Sequence, residues 1–179
     1  MIVAGFDIAT RSGCAVLDGT TVLHCEAHRP RGETDAEIFS GFRSWFRCTL
    51  LAHHVEHVAI EQPLVTNIEA RDTREGAAPG QRRNPITMKT YLRLYGLRAH
   101  ALEICHSLNV PFLEIHQSTW RRAFTGNGRA TKEQTLALVQ RLVPGLTSKD
   151  AAESVGVAWA LNGILSAPKA ADMFAGAAP

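Results

Sequence analysis

The chain is short of cysteine, of net charge and of long apolar runs, and each shortage removes a class of protein. Its four cysteines, Cys14, Cys25, Cys48 and Cys105, are widely spaced and form no C-x-x-C pair. Neither a zinc module nor a dithiol redox motif is therefore signalled, and reduced thiols are expected. A formal charge of +2 is too small to mark a nucleic-acid binder by itself. The apolar runs are brief and interrupted by polar residues, which leaves no stretch long enough to span a bilayer. The first residues lack the charged segment and apolar core of a secretory signal, so a cytoplasmic location is the expectation.

What the chain does contain is a globular composition, 45% hydrophobic and 20% charged over 179 residues. That is enough for one domain with a real core and no staples. The domain is expected over residues 1–165, followed by an Ala-, Gly- and Pro-rich tail over 166–179 that is expected to be mobile. Charge is unevenly spread: residues 71–98 hold seven Arg or Lys against Asp72 and Glu75, and residues 121–132 hold four basic residues and no acid.

Reading residues 2–9 as a strand puts Ile2, Ala4, Phe6 and Ile8 on one face and Val3, Gly5, Asp7 and Ala9 on the other. Gly13 is expected to make a tight reversal into a second strand, GCAVLD, and a third runs from Val22 to His28, giving an antiparallel meander. Thr34 and Glu37 form a T-x-x-E capping box ahead of an amphipathic helix carrying Phe39, Phe42, Phe46 and Leu50. HVAIEQP is apolar enough for a central parallel strand and is stopped by Pro63. Residues 66–87 have no periodicity and read as a long basic loop.

The helix expected from Met88 to Leu108 carries two apolar stripes. Met88, Leu92, Tyr95, Ala99 and Leu102 form one; Leu94, Leu97, Ala101, Ile104 and Leu108 form the other. Two stripes need two partners, so one is expected to meet the sheet and a neighbouring helix, the other a second subunit. VPFLEIH is the fifth strand, and Trp120 and Phe124, at i and i+4 just beyond it, are expected in the core. Thr131 and Gln134 cap a helix through Leu142, and KDAAESVGVAWALNGIL is the last helix. The order βββαβαβαα describes a mixed five-stranded α/β sheet, three antiparallel strands and then parallel ones, with helices on both faces.

Four acids stand out against this frame. Asp7 and Glu61 each lie in an apolar strand, where an uncompensated charge costs several kcal/mol. If their strands are neighbours the two carboxylates repel, and a divalent cation removes that repulsion. Asp150 and Glu153 are spaced i and i+3 at the start of the last helix, so they share one face near its positive end. Each acid alone has a plain explanation as a cap, a strand end or a solvated face. Together they make the chemistry of a metal site: four carboxylates able to hold a pair of Mg²⁺ ions for phosphodiester hydrolysis. His53 and His57 in HHVEH are a helical turn apart, but His57 belongs to the fourth strand, and no imidazole site is expected there.

The segments FDIATRSGCAVLD, VAIEQP, LRLYGLRAHAL, GNGRATKEQ and KDAAESVGVAWAL together resemble the RuvC-type Holliday-junction resolvases of the ribonuclease H-like superfamily. The resemblance spans most of the chain in the right order. It implies a ribonuclease H-like fold and a metal-dependent endodeoxyribonuclease that cuts four-way DNA junctions by paired symmetric nicks, leaving 5′-phosphate ends that a ligase can seal. It assigns catalysis and metal binding to Asp7, Glu61, Asp150 and Glu153, with two Mg²⁺ per site and Mn²⁺ as a substitute. Arg121 and Lys132 match family basic residues that hold phosphates at the cut strand, and Arg129, Arg82, Arg83 and Leu64 complete the expected DNA contacts. A homodimer through the 88–108 helix and a branch-migration helicase are the implied partners.

Three positions depart from the family pattern. Glu153 stands where Asp is usual, and Leu64 where an aromatic side chain often wedges against bases, so an apolar wedge remains but stacking is lost. Residues 66–87 exceed the family loop. Arg71, Arg74, Arg82 and Arg83 either track the junction backbone and order on binding, or form a solvated insertion. Rival functions are a related nuclease acting on another substrate, a branched-DNA binder that does not cut, and a phosphotransfer lobe of the actin-like ATPase type. The last is suggested by D-I-A-T-x-x-G but needs a second lobe to enclose its nucleotide.

Overall fold

The computed structural model describes residues 1–63 and 87–167. Five strands form one sheet: β1 (Ile2–Asp7), β2 (Ser12–Asp18), β3 (Thr21–His28), β4 (His57–Glu61) and β5 (Phe112–Ile115). Their spatial order is β3-β2-β1-β4-β5. β1, β2 and β3 pair antiparallel, whereas β4 runs parallel to both β1 and β5. Five helices cover it: α1 (Asp35–Ala52), α2 (Met88–Ser107), α3 (Gln117–Thr125), α4 (Lys132–Val139) and α5 (Lys149–Ser166). Among the described residues no helix is long and apolar enough to cross a membrane.

Strand alternation builds two cores. Ala4, Phe6, Val58 and Ile60 point to one side, where they pack against Phe42 and Phe46 of α1 and Leu97, Ala101 and Ile104 of α2. Val3, Ala15 and Ala59 point to the other, against Trp120 of α3, Val139 of α4, and Ala152, Val155 and Ala158 of α5. The capping box at Thr34 forms as its sequence implies, with Thr34 N–H donating to Glu37 Oε2 at 3.0 Å and Glu37 N–H donating to Thr34 Oγ1 at 3.2 Å. The two stripes of α2 separate only in part, since Leu102 of the outer stripe also packs against the core. Leu97, Ala101 and Ile104 are fully buried, while Met88 and Leu92 are 57% and 61% exposed.

Four details differ from the expectation. The segment starting at Gln117 is a helix, α3, so the order is βββαβαβααα; its nine residues QSTWRRAFT carry a single apolar pair, Trp120 and Phe124, in an otherwise polar stretch. α4 stops at Val139 rather than Leu142, and Leu142 and Val143 N–H both donate to the Val139 carbonyl in a tightened last turn. β1 ends at Asp7 rather than at residue 9, because the Ser12 hydroxyl folds back onto Ala9, donating to its carbonyl at 2.8 Å. Asp7 and Glu61 are thus the last residues of their strands, not mid-strand residues. Gly13 is not a turn residue either: it is paired within β2, and a Cβ there would collide with the Asp150 carbonyl. Gly5 meets the backbone of Ser154 and Ala158 in the same way, so two strand glycines let α5 lie directly on the sheet. The expected long loop and tail fall outside the described residues apart from Thr87, which caps α2, and Ser166 and Ala167 at the end of α5.

Candidate metal centre

Parallel pairing of β1 with β4 matches Gly5 with Ala59 and Phe6 with Ile60, so the next residue on each strand is an acid at the carboxyl edge of the sheet. This edge is where open α/β sheets place ligands. α5 begins beside it, its first turn capped by the Ser148 hydroxyl accepting from Ala151 N–H at 3.3 Å. The close approach allowed by Gly5 and Gly13 then brings Asp150 and Glu153 over the end of β1.

Carboxylate oxygens of Asp7, Asp150 and Glu153 lie within 4.8 Å of one another. Glu153 is only 1% exposed, the Asp7 side chain 13% and that of Asp150 26%. Two basic residues face them. Lys132, the first residue of α4, puts its ammonium 3.0 Å from Asp150 Oδ1 and 3.8 Å from Asp7 Oδ2, and it pairs with Glu153 Oε2. Arg121 of α3 donates to Glu153 Oε1. Arg11 adds a longer approach to Asp150, 3.8 Å from its Nε.

These cations do not neutralise the site. Burial, followed by the neighbouring charge of Glu61, pushes the Asp7 carboxyl up to about 8 despite Lys132. Burial likewise raises Glu61. Lys132 responds in the opposite sense: burial opposes its charge, but the hydrogen bond to Glu153 and the charge of Asp7 outweigh it and hold the ammonium above its usual range. Carboxylate oxygens clustered in a partly buried pocket are the donor set a hard divalent cation takes. Asp7, Asp150 and Glu153 therefore fit such an ion and are the residues that could hold it.

Glu61 stands beside this group and outside it. Its Oε1 accepts from the Gln117 side-chain amide at 3.1 Å and its Oε2 from the Trp120 indole N–H at 2.7 Å. A cleft of about 160 Å³ opens next to it, bounded by Asp7, Ile60, Pro63, Tyr91, Tyr95 and Arg98 among others. Arg129 is exposed in the turn before α4, where its N–H donates to Asn127 Oδ1 at 3.0 Å. Arg121 is largely covered and committed to Glu153. Leu64, Arg82 and Arg83, with Arg71 and Arg74, lie outside the described residues. The four cysteines are unpaired, and none is in the site.

Sequence reasoning assigned Trp120 to the core, where it is fully buried, but missed its donor and missed Gln117 altogether. The spacing Q-x-x-W, i and i+3 on α3, would have revealed a shared face had the helix itself been recognised. Gly156 of α5 makes room for the Trp120 ring, whose carbons would lie 2.7 Å from a Cβ at that position.

No protein-family model matches the chain. It is 36% identical over 112 residues to a protein of Granulibacter bethesdensis named crossover junction endodeoxyribonuclease RuvC, covering 61% of this chain and 52% of that protein. A Rickettsia akari protein of the same name is 30% identical over 73 residues, covering 39% and 46%. The chain thus matches about half the length of these curated relatives. Among solved structures, Thermus thermophilus RuvC has a TM-score of 0.66 at 19% identity, covering 89% of this chain and 92% of that one. The same protein in complex with Holliday junction substrate gives 0.68 at 16% identity, covering 89% and 91%. The yeast mitochondrial Holliday junction resolvase Ydc2 gives 0.58 at 9%, covering 89% and 78%. The fold is the ribonuclease H-like one of these structures, a mixed five-stranded sheet with helices.

Proposed function

We propose that this chain is a metal-dependent endodeoxyribonuclease of the RuvC type, resolving four-way DNA junctions by paired symmetric nicks. The observation that carries this reading is the convergence of Asp7, Asp150 and Glu153 carboxylates from β1 and α5 within 4.8 Å, beside basic side chains able to meet phosphate. The relatives named crossover junction endodeoxyribonuclease and the junction-bound structural neighbour support the choice of substrate. A pair of Mg²⁺ ions, with Mn²⁺ as a substitute, would supply an activated water and a counter-charge for the leaving oxygen.

The chain's own residues supply the rest. Asp7, Asp150 and Glu153 give oxygen ligands, with Glu61 as the fourth acid at the edge of the same pocket. Lys132 holds the acids together before substrate arrives and afterwards can turn to the phosphate, since its side chain keeps 42% of its exposure. Arg121 balances the buried charge of Glu153. Arg129 and Arg122, both exposed, track the backbone and set position rather than sequence. Arg82 and Arg83 extend that track, and Leu64 acts as an apolar wedge. The exposed stripe of α2, with Met88, Leu92 and Ala99 uncovered, supports a homodimer that presents two sites to one junction; a branch-migration helicase is the expected companion.

The test is cleavage of a synthetic mobile four-way junction in Mg²⁺, compared with linear duplex and RNA:DNA hybrid. Paired nicking of the junction is expected, and Asp7→Asn should abolish it while leaving junction binding largely intact. Binding without cutting by the wild-type protein would reduce the reading to a junction-binding protein. Undiminished cutting by Asp7→Asn would remove the catalytic assignment.

A further inference from the structure

Glu61 is held in a way that packing alone does not require. A buried tryptophan needs one acceptor for its N–H, and any backbone carbonyl would serve. Here the acceptor is a carboxylate at the end of β4, a far costlier group to keep from water. The indole cannot turn to find another partner. Its ring is fully buried, it sits on Gly156 of α5 where not even a methyl group would fit, and the Arg121 guanidinium lies 5.2 Å from its centroid on a face of the ring. The N–H direction is fixed by α5 on one side and by the neighbouring guanidinium of α3 on the other.

The second oxygen of Glu61 is treated in the same way, by the amide of Gln117 one helical turn earlier on α3. Each oxygen therefore receives one neutral donor and keeps acceptor capacity to spare, since a carboxylate offers about four lone-pair sites. Neutral donors orient a carboxylate without cancelling its charge, whereas the two cations, Lys132 and Arg121, form their ion pairs with the other acids.

We propose that Trp120 is a positioning residue for the metal centre: together with Gln117 it fixes the Glu61 carboxylate in the orientation from which it can be shared by a divalent cation bound at Asp7. The inference rests on the nuclease reading only in taking that cation to be the one used in cleavage. Partners of this kind, bonded to a ligand rather than to the ion, typically change metal affinity by roughly 10–100-fold when removed.

The test is Mn²⁺ binding to the full-length chain by titration calorimetry, alongside single-turnover nicking as a function of Mn²⁺ concentration. Trp120→Phe keeps the ring and loses the donor. It should weaken Mn²⁺ affinity roughly 10-fold or more and raise the half-saturating Mn²⁺ for nicking to match, with the rate at saturating cation restored to within a few-fold. Gln117→Leu, a change at a half-buried helix start, should shift both readouts in the same direction by a smaller factor, and it decides the matter alone if Trp120→Phe fails to give a cooperative melt. A tryptophan that only packs would lower Tm and leave Mn²⁺ affinity unmoved, and that result overturns the proposal; so does unchanged affinity in Gln117→Leu. Wild-type protein that binds Mn²⁺ but does not nick junctions would refute the nuclease reading and leave this inference to be judged on the binding data. Wild-type protein that binds no Mn²⁺ would refute both.

Discussion

Withdrawing divalent cations and raising the pH should destabilise this protein, and Asp7 sets the size of the effect. Its carboxyl is carried from 3.8 to about 8, first by burial and then by the charge of Glu61. Between those values the folded protein keeps a proton that the unfolded chain has released. The stability that Asp7 contributes is therefore complete below the unfolded value and drains away as pH rises through about 8. In the middle of that interval each pH unit is worth about 1.4 kcal/mol, and the step from pH 7 to 8, close to the folded value, about 1 kcal/mol. For a chain of this length that step lowers Tm by roughly 2–4 °C.

Apart from Glu61 and, at the alkaline end, the buried thiols, the shifted groups leave this window clear. Glu26, Glu37 and Glu133 lie below the usual carboxylate range and act only in acid. His28 and His53 are lowered chiefly by burial, so their contribution rises with pH and is complete once the unfolded imidazole, near 6.5, has lost its proton. Cys14, Cys25 and Cys105 are pushed up by burial and add to the fall only at the top of the window, where an unfolded thiol begins to ionise, equally in wild type and Asp7→Asn. Glu61 is raised and adds to Asp7 with the same sign. Differential scanning calorimetry in chelator, from about pH 7 to about 8.5, should show Tm falling, and saturating Mg²⁺ should abolish the fall because the bound cation replaces the proton. Asp7→Asn should show a shallower slope, the part left to Glu61, and should melt higher than wild type in chelator at the alkaline end. A wild-type Tm that is flat in chelator, or a slope undiminished in Asp7→Asn, would refute the reasoning.

Further outcomes follow from single side chains. Lys132→Met leaves three acids without their shared ammonium and should cost about 1–2 kcal/mol in chelator, the usual loss for a broken buried pair discounted for the exposure of the lysine; Mg²⁺ should restore most of it, as urea titrations with and without the ion will measure. Gly5→Ala drives a methyl group into the α5 backbone and should cost about 1–3 kcal/mol or more by the same titration, with junction cleavage lost in parallel because Asp150 and Glu153 are lifted off β1. Leu92→Glu puts a charge in the uncovered stripe of α2 and should shift the chain to monomer in sedimentation equilibrium without lowering Tm. Replacing Arg82 and Arg83 together should lower junction affinity and flatten its log-log salt dependence by about 0.9 for each phosphate no longer neutralised; an unchanged slope assigns that loop to solvent.

Much of the scaffold was legible because it rests on short-range rules. The T-x-x-E box announced α1, the two stripes of α2 were readable from i, i+3 and i+4 spacing, and strand alternation correctly separated Phe6 from Asp7 and Ile60 from Glu61. The acids were conspicuous because charge in an apolar strand violates local pattern. α3 was missed for the converse reason: its sequence is short and polar, and the one apolar pair, Trp120 and Phe124 at i and i+4, is too brief a period to announce a helix. Gly13 reads locally as a turn residue, although it serves α5, far away in the chain.

What the order of amino acids singled out by itself was a set of candidate groups, the four carboxylates at Asp7, Glu61, Asp150 and Glu153; Arg121 and Lys132 entered only through the family resemblance. What only the folded chain decided was how those groups divide. Three acids share Lys132, while the fourth is held by an indole and an amide, because two strand glycines admit α5 onto β1 and a third glycine admits the tryptophan beside β4. Such distances are set by close packing between elements from opposite ends of the chain, a property of volumes meeting in space and not of any local stretch of sequence.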